Sequence, residues 1–129
     1  MKRSRKPDAR NDHAGVSFDT VRAIAGKLAG AVERTSYGTP AFFVGKTLFA
    51  RQHQDGESLV IRMEIEERTM WVKADPVTYS FTEHYKNYPL ILVRMATVER
   101  EELDELLVEA WRLAAANDGG GRGKKPRRR

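Results

Sequence analysis

The sequence has no cysteine, which excludes a disulfide framework, a thiolate metal site, an iron–sulfur cluster and a thiol nucleophile. Histidine is scarce. His13, His53 and His84 are far apart, and none has the i+3 or i+4 partner of a helical metal site. No apolar stretch nears the roughly 20 residues of a membrane span, and the charged N-terminus leads into no apolar segment. No serine occupies a G-x-S-x-G elbow. Glycines 119–121 and 123 lie between no strand and helix, so they form no phosphate loop. The acidic residues of 99–109 fall mostly opposite an apolar stripe, as a solvated helix face does, and none pairs in an apolar pocket. These absences leave no catalytic residue, metal or cofactor to assign. They point to a soluble, cytoplasmic, non-enzymatic protein.

What is present is charge, unevenly placed. The 129 residues carry a formal +5, and 40% are hydrophobic, enough for one packed core. Residues 1–15 hold five basic side chains against two acidic, and 117–129 hold six against one. Residues 16–116 hold 12 basic against 15 acidic, so the basic character belongs to the ends. Both ends lack apolar periodicity and are rich in Gly, Pro, Asn, Asp and Arg. They read as a disordered arm (1–15) and a disordered tail (117–129) around one domain at 16–116. Lys124, Lys125, Arg127, Arg128 and Arg129 make the tail a sequence-blind polyanion adhesive.

Within the body, Ser17 as N-cap, Asp19 in the first turn and the stripe Val21, Ile24, Leu28, Ala31 predict a helix over 17–32. Short β-rich runs follow at 41–44, 47–52 and 59–65, joined by Gly45-Lys46 and by the turn 53–57. A short helix over 66–73, strands at 77–81 and 90–95, and a terminal helix striped by Leu103, Leu106, Leu107, Ala110, Leu113 and Ala114 complete the chain. The order predicts an α+β fold: an antiparallel sheet of about five strands with N- and C-terminal helices packed on it.

The chemistry-bearing residues of the body are basic. Lys46 falls at a hairpin tip, Arg51 and Arg62 in adjacent strands, and Lys86 and Arg94 in or beside the last strand pair. Strand alternation puts Arg51 and Arg62 on one face, where they can meet a phosphate backbone, with Tyr79, Phe81, Tyr85 and Tyr88 near enough in sequence to stack bases. The competing reading is cross-strand pairing of those arginines with glutamates. A second candidate is a pocket lined by His84, Tyr85 and Trp111, for a small molecule or a protein partner.

The run Tyr37-Gly38-Thr39-Pro40-Ala41-Phe42-Phe43-Val44-Gly45-Lys46 is followed in order by Phe49-Ala50, Glu67-Arg68, Asp75-Pro76, His84-Tyr85, Leu92-Val93-Arg94 and Ala110-Trp111-Arg112. This order resembles the MmcQ/YjbR family over roughly residues 18–114. The resemblance implies a fold similar to the double-wing C-terminal domain of the phage transcription factor MotA. It also implies DNA binding through a concave sheet surface. The partner expected is nucleic acid, DNA bound largely without sequence specificity, and the chain is expected to be a monomer. The resemblance supplies no catalytic motif. The net negative body departs from a domain that grips DNA unaided and shifts weight to the tails.

Overall fold

The computed structural model describes residues 15–120. Helix α1 spans Phe18–Ala25, with extended Ser17 at its N-cap and Asp19 in the first turn, and buries Phe18, Val21, Ile24 and Ala25. It stops well short of residue 32. The N–H of Gly26 closes on Arg22 O, and Gly30, at φ +76°, turns the chain into strand β1 (Ala31–Ser36). Leu28 and Ala31 still reach the core, from a turn and a strand and not from a longer helix.

Strands β2 (Thr39–Val44), β3 (Thr47–Gln52) and β4 (Ser58–Arg62) continue an antiparallel meander. Helix α2 (Ile65–Ala74), strand β5 (Tyr79–Ser80), strand β6 (Leu90–Arg94) and helix α3 (Arg100–Gly120) complete the fold. The sheet order is β1-β2-β3-β4-β6-β5, six strands against the five expected, the addition being β1. Among the described residues no helix is long and apolar enough to cross a membrane.

Register sorts the sheet into two faces. Ala50, Ile61 and Ile91 align across β3, β4 and β6, as do Leu59 and Val93, and these residues meet the helices in the core. α3 lies across β2, β3 and β4 and touches α1. Trp71 meets Tyr79 edge-on, and the Trp111 indole N–H donates to Ala29 O at 2.7 Å. The Tyr79 hydroxyl donates to Glu102 at 2.6 Å. Burial, reinforced by that carboxylate, pushes the hydroxyl far above the usual tyrosine range, so it stays protonated. The opposite face carries Arg51, Val60 and Leu92 in register.

The folded body extends past residue 116. Asn117 donates its amide to Thr47 Oγ1 at 3.1 Å, and Asp118 accepts the Lys46 backbone N–H at 3.2 Å. The Asp118 carboxylate occupies the place a Cβ on Gly45 would take, and Gly45 itself has φ +59°. The end of α3 is thus latched to the β2–β3 turn, and residues 117–120 belong to the helix, not to a tail.

The β3–β4 turn is held by Asp55, which accepts the N–H groups of Glu57 (2.8 Å) and Ser58 (3.0 Å) and the Ser58 hydroxyl. Burial raises the Asp55 carboxyl, but these donors and His53 outweigh it and hold it below the usual carboxylate range. A depressed acid stabilises the fold above its unfolded pKa of about 4 and loses that contribution as pH falls through the lowered value. Asp55→Asn is therefore expected to cost stability at pH 6, with the gap to the parent narrower at pH 3, in urea titrations. A gap that stays constant between those pH values would contradict the assignment.

Candidate binding pocket

On the sheet face away from the helices lies a cavity of about 760 Å³, walled by Leu48, Arg51, Val60 and Leu90 from the strands, Tyr37 from the β1–β2 turn, His53 and Gln54 from the β3–β4 turn, and Thr82, His84, Tyr85 and Tyr88 from the β5–β6 connection. Its floor is strand and its rim aromatic.

Arg51 is the centre of the site. Pairing with Val60 turns it away from the core, yet it is only 4% exposed. One terminal nitrogen donates to Thr39 Oγ1 (3.2 Å) and Gln52 O (3.3 Å), the other to the Tyr85 hydroxyl (2.8 Å). All three acceptors are neutral, and among the described residues no carboxylate lies within 4 Å of this guanidinium. A buried cation held by neutral groups has no countercharge of its own.

The Tyr37 ring stands 5.3 Å from the Arg51 guanidinium. Tyr37 is 81% exposed and has φ +53°, the one non-glycine in the left-handed region among the described residues. A bulky side chain there costs on the order of 1 kcal/mol. His84 meets Tyr85 edge-on at 5.1 Å and Tyr88 at 6.2 Å, and His53 meets Tyr85 at 6.3 Å. His53 Nδ1 is buried 3.3 Å from Asp55 Oδ2, off the line of a hydrogen bond.

The β5–β6 wall has almost no regular structure beyond one helical turn, Glu83–Tyr85, capped by Thr82. It is fixed by Arg68 of α2, which is 3% exposed. One terminal nitrogen of Arg68 donates to the carbonyls of Tyr85, Tyr88 and Leu90 at 3.0–3.1 Å, and the other to Lys86 O at 2.8 Å. The Phe81 ring lies 3.9 Å from the guanidinium. A planar fork with donors on both nitrogens suits four converging carbonyls.

The five body cations do not converge. Arg51 lines the pocket. Arg62 donates to Leu48 O at 2.8 Å and lines a groove between α2 and α3 whose other walls include Glu67, Glu101, Asp104, Glu105 and Glu109. Burial there lowers its pKa, although a guanidinium stays charged. Lys46 is exposed at the β2–β3 turn. Lys86 lies 3.9 Å from Glu83, and Arg94 lies 3.9 Å from Glu57 and donates to Val77 O. Alternation does put Arg51 and Arg62 on one side of the sheet, but the latter stands at the strand end, beside the acidic helices.

His84 and Tyr85 meet in the pocket as expected. Trp111 does not, because α3 carries it on the helical side, bound to Ala29. Lys124, Lys125, Arg127, Arg128 and Arg129 lie outside the described residues, as do residues 1–14 of the arm. Arg68 escaped the sequence reading because it sits among Glu64, Glu66 and Glu67, where an arginine reads as part of a solvated face. Its signal was the Glu67-Arg68 pair in the family-like pattern. Tyr37 read only as a turn residue. Among the described residues no three metal-ligating side chains cluster.

A family model described as YjbR matches residues 26–113. The crystal structure of Deinococcus radiodurans protein DR2400, a DUF419 domain, superposes with a TM-score of 0.68 at 23% identity, over 80% of each chain. That likeness shows the α+β fold. The uncharacterized protein Rv2570 of Mycobacterium tuberculosis and the uncharacterized protein Mb2600 of Mycobacterium bovis are each 44% identical over 41 residues. Each match spans about a third of either chain, 32% on both sides.

Proposed function

The chain belongs to the YjbR family, and from that premise we propose that it is a small, non-catalytic binding protein whose ligand presents an anionic group to Arg51 in the open-face pocket. One observation carries this reading: a guanidinium 4% exposed, facing a cavity, with only neutral partners among the described residues. An incoming anion supplies the missing countercharge and forms short, charge-assisted bonds in a site of reduced water access. Among the described residues the lining contains no carboxylate, and no hydrogen bond joins one of its hydroxyls to a histidine, which supports binding over turnover. We take the protein to be a cytoplasmic monomer. Its edge strand β1 exposes Glu33 and Arg34, charges that discourage edge-to-edge pairing.

The reading is tested by thermal melts of the full chain against phosphate, sulfate and acetate at constant ionic strength. A true ligand at about 100 Kd adds ~2.7 kcal/mol to the fold and raises the midpoint accordingly. No saturable stabilisation by any anion would refute the proposal.

The second reading is non-specific DNA binding. Its support is the composition of residues 121–129, with six basic side chains and no acidic one. If all six release counterions from duplex DNA, the log–log salt slope approaches about −5. Cutting after Gly120, which spares the Asn117 and Asp118 latch, is expected to flatten that slope steeply, leaving only what the basic residues of 1–15 and the body contribute. DNA affinity with an unchanged slope after truncation would remove the tail from the account.

A further inference from the structure

We infer that the ligand of this pocket is a nucleoside monophosphate, its phosphate at Arg51 and its base stacked on Tyr37. The inference rests on the proposal that Arg51 holds an anion, and it adds what the rest of the cavity recognises.

Tyr37 is an aromatic ring outside the core whose ring contact is with Arg51. It is 81% exposed, is absent from the core, stands on a turn in the left-handed region, and has the Arg51 guanidinium 5.3 Å from its ring. Strain of this kind persists where the residue is used. Elsewhere in the lining, Tyr88 and His84 present two more rings, 6.2 Å apart. An anion site with aromatic walls suits a molecule that joins a negative group to a planar ring, since base–aromatic stacking is the standard complement of a phosphate contact.

Size and polarity narrow the class. A cavity of about 760 Å³ greatly exceeds an inorganic anion and falls in the upper part of the usual range for ligands of drug size, roughly 300–1,000 Å³. Gln54 and Thr82 on the walls offer hydrogen bonds to sugar hydroxyls, and His53 and His84 add polar groups to the same lining.

The test is calorimetric titration of the full chain with adenosine and uridine 5′-monophosphates, ribose 5-phosphate, adenosine and inorganic phosphate, repeated with Tyr37→Asn and Arg51→Met. Asparagine tolerates the left-handed conformation, so Tyr37→Asn removes the ring and keeps the turn. At least one nucleotide is expected to bind roughly 5- to 150-fold tighter than ribose 5-phosphate. Tyr37→Asn should erase that advantage and leave ribose 5-phosphate unchanged, whereas Arg51→Met should weaken every phosphate. A short single strand with a 5′-phosphate that competes with the nucleotide makes a strand end the source of the ligand; one that does not compete makes it the free nucleotide. Both results support the inference. Equal affinity for nucleotide and ribose 5-phosphate, insensitive to Tyr37→Asn, overturns the inference and leaves the anion site standing. No Arg51-dependent binding of any phosphate probe overturns both.

Discussion

Arg68→Ala is expected to destabilise the protein by about 3–5 kcal/mol, the range for removing one member of a buried polar set. The cause is what the substitution leaves behind. Four carbonyls, of Tyr85, Lys86, Tyr88 and Leu90, lose their shared donor, and Phe81 loses the guanidinium lying 3.9 Å from its ring. Tyr85 O and Tyr88 O keep the N–H groups of Tyr88 (3.0 Å) and Leu90 (2.8 Å), and an acceptor left without a partner costs about 1–3 kcal/mol, so the total stays below the sum over four. For a domain near 100 residues a loss of this size lowers the melting midpoint by on the order of 15–30 °C. Arg68→Lys should recover a minority of the loss, because an ammonium is a point charge and cannot spread donors across four carbonyls. Hydrogen exchange should rise first at 82–90, before the sheet opens. A midpoint within 3 °C of the parent, on the order of 0.5 kcal/mol, would show that Arg68 does not hold this wall.

Arg51→Met should behave in the opposite manner, with little effect on folding and a large effect on the ligand. Methionine fills much of the same space. The hydroxyls of Thr39 and Tyr85 lose a partner, but the fold is relieved of a buried charge without a countercharge. Replacing buried ionic groups by apolar ones of similar volume is often neutral, so a change within about 1 kcal/mol is expected in denaturant titrations. Affinity for an anionic ligand should fall by roughly 30-fold or more, the effect of removing one partner of a buried charge pair, about 2–5 kcal/mol. Arg51→Lys keeps the charge and loses the fork, and should stand between the two. If Arg51→Met instead unfolds the protein while leaving affinity intact in the folded fraction, the residue is a structural strut and the pocket has another purpose.

The class of fold was legible because its signals are local. The β2–β3 turn through Gly45-Lys46, the alternation after residue 58 and the apolar stripe of α3 each depend on neighbours a few residues apart. β1 was not, because Val21, Ile24, Leu28 and Ala31 continue a helical period that only the backbone at Gly26 and Gly30 interrupts. A stripe reports that residues reach the core, not by which element. The site was half legible for a related reason. His84-Tyr85 stood out by composition, yet its meeting with Arg51, 34 positions away from Tyr85, follows from register and from a helix three residues past β4. Counting cations in sequence could not separate Arg51, buried beneath Tyr85, from Arg62 beside the acids of α3.

An arginine that grips a segment by its main-chain oxygens is indifferent to the side chains mounted on it. The backbone at 85–90 thus takes part of its hold from α2 and not from the side chains it carries. A guest's identity can be rewritten there, one substitution at a time, on a frame gripped from elsewhere.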